Sequence, residues 1–229
     1  SDQILSQFIS NSQDFDHAFL LPILKKFGDQ NDAEQLFNHC ITDERLRENE
    51  HHEVLEVLAV LRFEQVKPIL INYAFEIIET NYFLSESAIL GLLNFKCNDI
   101  EIQIERAINQ CYEKNLFSEF IPALVCKLKN KGSALEKLYE LGTTYASSDC
   151  NAGILLGFSL SGTAGKAYFK KALFNPNWEL DDATGATYFA CLGMHNLNIT
   201  FKELYHEVRN LEEGKDYALS VLLTLLERR

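Results

Sequence analysis

The chain has 229 residues, 47% of them hydrophobic, and a formal net charge of −12 at pH 7. That apolar share is too high for a disordered chain, and no apolar run reaches the roughly 18 residues that a membrane span needs. Length and composition therefore indicate one globular domain, residues 1–229, that binds no membrane. The first residues lack the basic and apolar regions of a signal peptide, so we expect a cytoplasmic protein.

The six cysteines lie far apart along the chain. No two of them have the C-x-x-C spacing that is typical of metal and redox sites. Because free cysteine is commonly buried as a small apolar side chain, we expect these residues in the core of a protein from a reducing compartment. The sequence predicts no metal site and no cofactor.

The N-terminal part of the chain combines short helical patterns with negative charge. Residues 16–27 and 31–40 have helical periodicity, and a polar insert follows at 42–50. Residues 1–64 contain thirteen acidic and five basic side chains, a charge that attracts a basic partner or serves only solubility. The acidic candidates for partner binding in this region are Asp29, Asp32, Glu34, Asp43, Glu44, Glu48, Glu50, Glu53 and Glu56.

From residue 51 onward, apolar stripes at helical spacing follow one another with short turns between them. In the first stripe, Val54, Leu55, Leu58 and Leu61 share one helix face. A later helix is expected to begin at Ser85, as its N-cap. The predicted helices cover residues 52–61, 66–78, 85–95, 100–114, 118–129, 134–145, 149–160, 164–174, 181–195, 200–210 and 215–228.

A constant step relates the first helix of each successive pair. The last apolar residues of these helices align at intervals of 32 or 33 residues, as expected when each helix pair buries its stripe against its neighbours. The aligned positions are Phe63, Phe95, Leu128, Leu160, Leu192 and Leu225.

This helix–turn–helix period, with its apolar first helices, resembles the HEAT/armadillo-like superfamily of α-helical repeats over roughly residues 15–229. The resemblance implies an all-α fold, a right-handed α-solenoid of about six stacked antiparallel helix pairs. An irregular helical bundle is the structural alternative. Residues 1–50 would then form an atypical N-terminal cap repeat, and residues 51–229 the regular repeats.

Three segments approach catalytic motifs without matching them. His52 begins H-E-x-x-E, whereas a zinc protease needs a second histidine where Glu56 stands. Ser161 replaces the last glycine of a G-x-S-x-G elbow, and Ala167 replaces the Mg²⁺-binding hydroxyl after the Gly165-Lys166 pair of a P-loop-like segment. We therefore predict no catalytic residues, and a chain that is not an enzyme.

Trp178, the only tryptophan, is the other candidate for partner binding, together with Asp181 and Asp182. It lies in a polar loop, where a tryptophan either anchors an interface or folds back onto the next helix pair. The two aspartates follow that loop, and Asp181 is also a candidate N-cap of the helix that begins there.

These features favour a non-catalytic scaffold that binds another, basic protein and no nucleic acid. Its size and acidity are typical of bacterial immunity proteins, which neutralise basic toxins such as nucleases through complementary charge. A general adaptor or chaperone is an alternative. A HEAT-like alkylpurine DNA glycosylase is another, but it needs a basic groove. Only residues 131–180 have a slight positive balance, through Lys131, Lys137, Lys166, Lys170 and Lys171.

Overall fold

The computed structural model describes residues 2–10, 17–76, 81–144, 148–178, 180 and 184–228. These ranges contain thirteen α-helices and two strands of two residues each, which confirms the all-α prediction. The α-helices are α1 (Asp2–Ser10), α2 (His17–Phe27), α3 (Gln30–Cys40), α4 (Val54–Val60), α5 (Lys67–Phe75), α6 (Tyr82–Leu92), α7 (Glu101–Tyr112), α8 (Gly132–Thr144), α9 (Ser148–Leu160), α10 (Thr163–Leu173), α11 (Thr184–Asn196), α12 (Phe201–Arg209) and α13 (Lys215–Glu227).

The contacts of the chain group it into two compact units, residues 1–97 and residues 98–229, called here the N-terminal and C-terminal units. The boundary between the two units, after residue 97, differs from the end of the predicted N-terminal cap repeat at residue 50. That the whole chain forms one domain stays a prediction.

Helix α4 lies at the centre of the N-terminal unit, where it contacts α2, α3 and α6. Five of its seven residues are buried, so neighbouring helices surround it on several sides. This explains its almost continuous apolar sequence, since a helix with one solvent face alternates apolar and polar residues instead.

A short hairpin, β1 (Ile41–Thr42) and β2 (Arg45–Leu46), follows α3 inside the predicted polar insert. Asp43 and Glu44 form its two-residue turn with φ angles of 49° and 58°. Two consecutive left-handed residues are what a tight hairpin turn requires. Two-residue strands are too short to show the alternation by which a strand is predicted.

Two predicted helices differ from the structure. Helix α6 begins at Tyr82, because Asn81 is its N-cap. The Asn81 Oδ1 accepts a hydrogen bond from the Leu84 N–H at 3.2 Å. The predicted cap, Ser85, is buried within the helix. The segment predicted as an α-helix at 118–129 is a 3₁₀-helix at Ile121–Lys127.

Helix α9 occupies the middle of the C-terminal unit, in contact with the 3₁₀-helix, α8, α10 and α11. Its glycines allow close approach: a Cβ added at Gly157 would lie 2.7 Å from the Pro122 carbonyl oxygen. The glycines around Gly157 and Gly165, in the segment that resembles catalytic motifs, therefore permit close packing of the backbone.

Within the C-terminal unit, contacts follow the order of the predicted pairs. The 3₁₀-helix contacts α9, α9 contacts α11, and α11 contacts α13, while α8 contacts α7 and α10. The six aligned positions are less uniform. Phe63, Phe95, Leu128 and Leu225 are buried, Leu192 is half-buried and Leu160 is exposed.

Candidate functional site

Two of the predicted partner-binding acids hold the start of α3. The Asp29 carboxylate accepts hydrogen bonds from the N–H groups of Asn31 and Asp32 at 2.9 and 3.0 Å. In the reverse direction, the Asp32 Oδ2 accepts a hydrogen bond from the Asp29 N–H at 2.9 Å. This reciprocal capping box satisfies donors that a helix start leaves open. Asp32 is 1% exposed, so it cannot present its charge to a partner.

The exposed members of the predicted acidic set lie at α3 and around the hairpin. Five of these acids are exposed; Asp29 is one, but it is engaged as the cap of α3, and the other four are Glu34, Asp43, Glu44 and Glu48. Two exposed arginines, Arg45 and Arg47, stand between them, and the Arg47 Nε donates to the Thr42 hydroxyl at 2.8 Å. The four acids are called here the acidic surface.

Glu50 points inward, with a side chain only 8% exposed. Its Oε2 accepts from the Cys40 thiol at 3.4 Å, and its Oε1 lies 3.6 Å from His39 Nε2. Burial, and then the Glu50 charge, raise the pKa of Cys40 well above its ordinary value. The thiol therefore stays protonated and is a poor nucleophile, because the thiolate is the reactive form.

Glu56 belongs to a chain of polar contacts that joins three helices. Its carboxylate pairs with Lys25 of α2 at 2.8 Å and accepts from the Ser87 hydroxyl of α6 at 3.0 Å. Since that hydroxyl proton goes to Glu56, the contact of 2.8 Å between Ser87 Oγ and His52 Nδ1 has the imidazole as donor. We call the set Lys25–Glu56–Ser87–His52 the polar relay.

The polar relay is not arranged for nucleophilic catalysis. A serine nucleophile needs a histidine that accepts its proton, whereas His52 donates to Ser87, which is itself buried. Burial, and then the neighbouring His51, lower the pKa of His52, which outweighs the opposing effect of Glu53 and Glu56. His52 is therefore a neutral hydrogen-bond donor at pH 7.

Beside the relay, a cavity of about 440 Å³ opens between the hairpin, the turn before α4 and the start of α6. The rings of His51 and His52 stack at 4.4 Å, and the His52 and Phe83 rings stack at 5.6 Å with 20° between their planes. Phe83 is 64% exposed. The cavity is lined by Leu46, Arg47, Glu48, Glu50, His51, His52, Asn81, Phe83 and Leu84.

Sequence reasoning did not find this cavity. His52 was considered only as part of an incomplete zinc motif, and Phe83 lies about 30 residues further along the chain. The one signal in the sequence is the aromatic pair Tyr82 and Phe83 directly after Asn81.

Trp178 is buried, so its predicted role in partner binding is wrong for this structure. Its side chain is 0% exposed; the indole stacks on Tyr139 and is tilted against Phe158, with both ring centroids 6.2 Å away. The tryptophan folds back onto α8 and α9, which was the alternative position. Asp181 and Asp182 lie outside the described residues.

The remaining acid of the predicted set, Glu53, is at the rim of this region. Its side chain is 41% exposed, and one carboxylate oxygen lies 3.8 Å from His51 Nδ1. It adds negative charge near the cavity without lining it.

The lysines that made residues 131–180 slightly basic are engaged inside the C-terminal unit. Lys170 contacts Glu203 at 2.5 Å and Glu207 at 2.6 Å, and Lys166 lies 3.4 Å from Glu203. Burial opposes the charged form of Lys170, but the hydrogen bonds to both glutamates prevail and raise its pKa. These contacts, made between α10 and α12, compensate the positive charge locally.

The other three lysines of this segment contact neutral groups. Lys131 donates to the Cys126 carbonyl at 2.9 Å, and Lys137 donates to the Asn109 side chain at 2.8 Å. Lys171 lies over the Tyr168 ring at 5.9 Å. Of the five lysines, Lys166 and Lys170 are therefore compensated by carboxylates, while the other three contact neutral groups and keep their charge.

Among the described residues, His, Cys, Asp and Glu side chains form no group of three or more that could hold a metal ion. In the same part of the chain, every helix is too short or too polar to cross a bilayer. No family model, no curated protein and no solved structure matches the chain.

Proposed function

We propose that this protein is a non-catalytic scaffold that binds a basic protein through its N-terminal unit, most concretely as an inhibitor of a basic toxin such as a nuclease. The observation that carries the proposal is the acidic surface, with Glu34, Asp43, Glu44 and Glu48 exposed on one unit. Exposed charge of one sign speeds the encounter with an oppositely charged partner.

The local structure supports a rigid rather than an adaptable surface. Glu34 lies on a helix whose start is fixed by the Asp29–Asp32 capping box. Asp43 and Glu44 form the turn of a paired hairpin, so their backbone is defined as well. A partner that binds pre-organised groups loses less conformational entropy on association.

The reactive groups that accompany this surface support a binding role. Cys40 is held as a buried thiol, and the Ser87 proton is directed to Glu56 rather than to an imidazole. Both are therefore placed for structure, and neither is placed for covalent chemistry.

We propose further that the helix pairs stack as in a HEAT-like solenoid. The contacts from the 3₁₀-helix to α9, α11 and α13 in turn support stacking inside the C-terminal unit. Repeat architectures of this kind commonly serve as binding platforms, which agrees with the scaffold role.

The test compares two charge-reversed variants of the full chain. One replaces the acidic surface with lysine (Glu34, Asp43, Glu44 and Glu48), and the matched control replaces four exposed acids of the C-terminal unit (Glu105, Glu136, Glu212 and Glu213). Both variants change the net charge equally, so a difference between them reports position. Each is measured by surface binding against an immobilised Arg/Lys-rich peptide and a 20-base-pair DNA duplex at several salt concentrations.

We expect the native chain and the control to bind the basic peptide with an association rate that falls steeply with salt, because screening shortens the range of charge attraction. The acidic-surface variant should lose this binding. Equal binding by both variants would contradict the proposal, and retention of the native chain on DNA would favour the glycosylase alternative instead.

If a toxin gene lies next to the gene for this protein, its product is the partner to assay for inhibition. Addition of the native chain should then suppress the nuclease activity at a stoichiometric ratio, and the acidic-surface variant should not.

A further inference from the structure

The cavity of the N-terminal unit has an aromatic wall that is only partly used by the protein itself. His51, His52 and Phe83 form a ladder of stacked rings, and the outermost ring, Phe83, is 64% exposed. Phe83 also lines the cavity, so its exposed ring offers apolar surface to a ligand bound there. The π face of such a ring attracts cations, and the planar guanidinium group stacks on it best.

The lining of the cavity also includes two carboxylates in different settings. Glu48 is exposed at the rim, and Glu50 is buried with a thiol at 3.4 Å and a histidine nitrogen at 3.6 Å as its neighbours. A buried carboxylate with such weak partners gains from a further donor, because burying a charge without strong hydrogen bonds is unfavourable.

The cavity also contains one positive group, Arg47, which limits what it attracts. Its Nε is bonded to the Thr42 hydroxyl at 2.8 Å, which ties the side chain to the hairpin. The neutral state of His52 adds no second positive charge to the wall. The lining therefore carries two carboxylates against one guanidinium, and the cavity volume of about 440 Å³ lies in the usual range of ligand sites.

We propose that this cavity binds an arginine side chain of the basic partner, with the guanidinium stacked on the Phe83 ring and its N–H groups directed to Glu48 and Glu50. The inference rests on the proposed function and names the anchoring residue that the partner inserts. A planar fork of donors suits both the flat aromatic wall and the carboxylates, whereas a lysine ammonium cannot stack and a neutral ring does not engage the carboxylates.

The test is an NMR titration of the full ¹⁵N-labelled chain with N-acetyl-L-arginine amide as the probe. Its matched probes are N-acetyl-L-citrulline amide, which has nearly the same shape without the charge, N-acetyl-L-lysine amide, and adenosine. We expect saturable shifts of the amides of residues 46–52 and 81–84, with citrulline binding about 10-fold weaker or worse, as loss of a charge-assisted contact implies.

Two variants and a control locate the site. Phe83→Ala should weaken the arginine probe about 3- to 10-fold, the range that a cation–π contact supports. Phe83→Trp should bind as well as the native chain or better. Phe27→Ala removes a ring of similar exposure, 66%, elsewhere in the same unit, and should leave binding unchanged. Because Phe83 is largely exposed, its variants should keep the native amide spectrum.

Removal of Arg47 gives a result of opposite sign. Arg47→Gln takes a like charge out of the cavity, so we expect the arginine probe to bind about 2-fold more tightly or better. A loss of function that came only from disturbed folding would not produce this gain.

Several outcomes would overturn the inference: citrulline binding as well as arginine, lysine binding more tightly than arginine, shifts outside the cavity, or no effect of Phe83→Ala. Tight binding of adenosine in place of arginine would make it a nucleoside site. If the proposed function fails, charge reversal of Glu34, Asp43 and Glu44 alone leaves binding of the basic peptide intact. The arginine probe still shifts the cavity amides in that case, so failure of the proposed function is distinguishable from failure of this inference.

Discussion

Gly142 in α8 lies directly beneath the indole of Trp178, and a Cβ at this position would overlap the six-membered ring. The indole is buried among Tyr139 and Phe158, so it has no room to move away. We expect Gly142→Ala to lower the free energy of unfolding by about 1–3 kcal/mol, as overpacking of a core does. Urea unfolding followed by circular dichroism measures the change.

The same helix offers a matched control. Gly132 is exposed at the start of α8, with no atom within 4 Å of an added Cβ. Gly132→Ala should be neutral or stabilise by up to about 1 kcal/mol, because alanine loses less backbone entropy in a helix. A similar loss of stability in both variants would mean that the indole does not determine the effect.

His52 makes the stability of the N-terminal unit depend on pH. Its pKa in the folded chain is lowered, first by burial and then by His51, while Glu53 and Glu56 act in the opposite sense. In the unfolded chain the pKa of His52 is near the ordinary 6.5, so the unfolded state binds the proton more readily than the folded state. The contribution of His52 is fully present above that value and is lost as the pH falls toward the folded pKa.

Urea unfolding of the native chain and of His52→Gln at pH 8 and at pH 5.5 tests this dependence. Glutamine keeps an N–H donor for Ser87 but has no proton to gain. We therefore expect the native chain to lose more stability on acidification than the variant does. Parallel losses would show that other groups, such as the carboxylates, account for the whole effect.

At single residues, the sequence predicts what depends on neighbours along the chain. The predicted helix 200–210 begins with Thr200, a residue type favoured at N-caps, and its hydroxyl accepts from the Glu203 N–H at 3.1 Å. The prediction of Ser85 as the cap of α6 was wrong, because Asn81 caps the helix and the burial of Ser85 is set by other helices. The folded-back position of Trp178 was one of two alternatives that only tertiary packing could decide.

Among the elements, α3 depends most on the acids that were expected to bind a partner. Asp29→Ala removes the N-cap acceptor of Asn31 and Asp32, and we expect it to lower the free energy of unfolding by about 0.5–2 kcal/mol. Asp29→Asn retains an acceptor and should be nearly native. Urea unfolding and amide exchange of the first turn of α3 provide the measurement.

Glu34 is the control for this prediction, since it lies on the same helix and is exposed. Glu34→Ala should leave stability within about 0.5 kcal/mol of the native value, as surface substitutions usually do. If Glu34→Ala destabilised the chain as much as Asp29→Ala, the division of these acids into structural and exposed groups would be wrong.

Element type was predicted well where a long apolar stripe occurs, and poorly elsewhere. Helices α7, α9 and α13 lie within a residue or two of the predicted ranges. The segment predicted as an α-helix at 118–129 is the 3₁₀-helix Ile121–Lys127, in which every residue from Ile121 to Val125 is buried. Helix α1 was not predicted, since nine residues give few periodic positions.

On the scale of the whole molecule, composition and period predict the all-α class and the succession of helix pairs. They do not reveal that contacts group the chain at residues 97 and 98, because a repeat pattern is uniform in sequence while contact density depends on side chains from distant elements. The 32–33-residue step also equates Leu160, which is exposed, with buried positions such as Phe95.

The net charge of −12 gives an incomplete picture of the surface. Of the nine N-terminal acids predicted for a partner, four are exposed without capping a helix, Asp29 and Asp32 form the capping box of α3, Glu50 and Glu56 face inward, and Glu53 lies beside His51. Sequence shows how many charges exist, but hydrogen bonding and burial decide which remain for a partner. The cavity beside them depends on residues from two distant segments, 46–52 and 81–84, and was therefore not predictable.

The burial of Trp178 has a practical consequence for every solution experiment on this chain. Because it is the only tryptophan and lies wholly inside the C-terminal unit, intrinsic fluorescence excited at the indole band is an optical signal from that unit alone. Emission from such a dry, ring-lined environment should be blue-shifted and protected from iodide and acrylamide. Ligands of the Phe83 cavity should therefore be spectroscopically silent, while loss of the α8–α9 packing should be visible as a red shift.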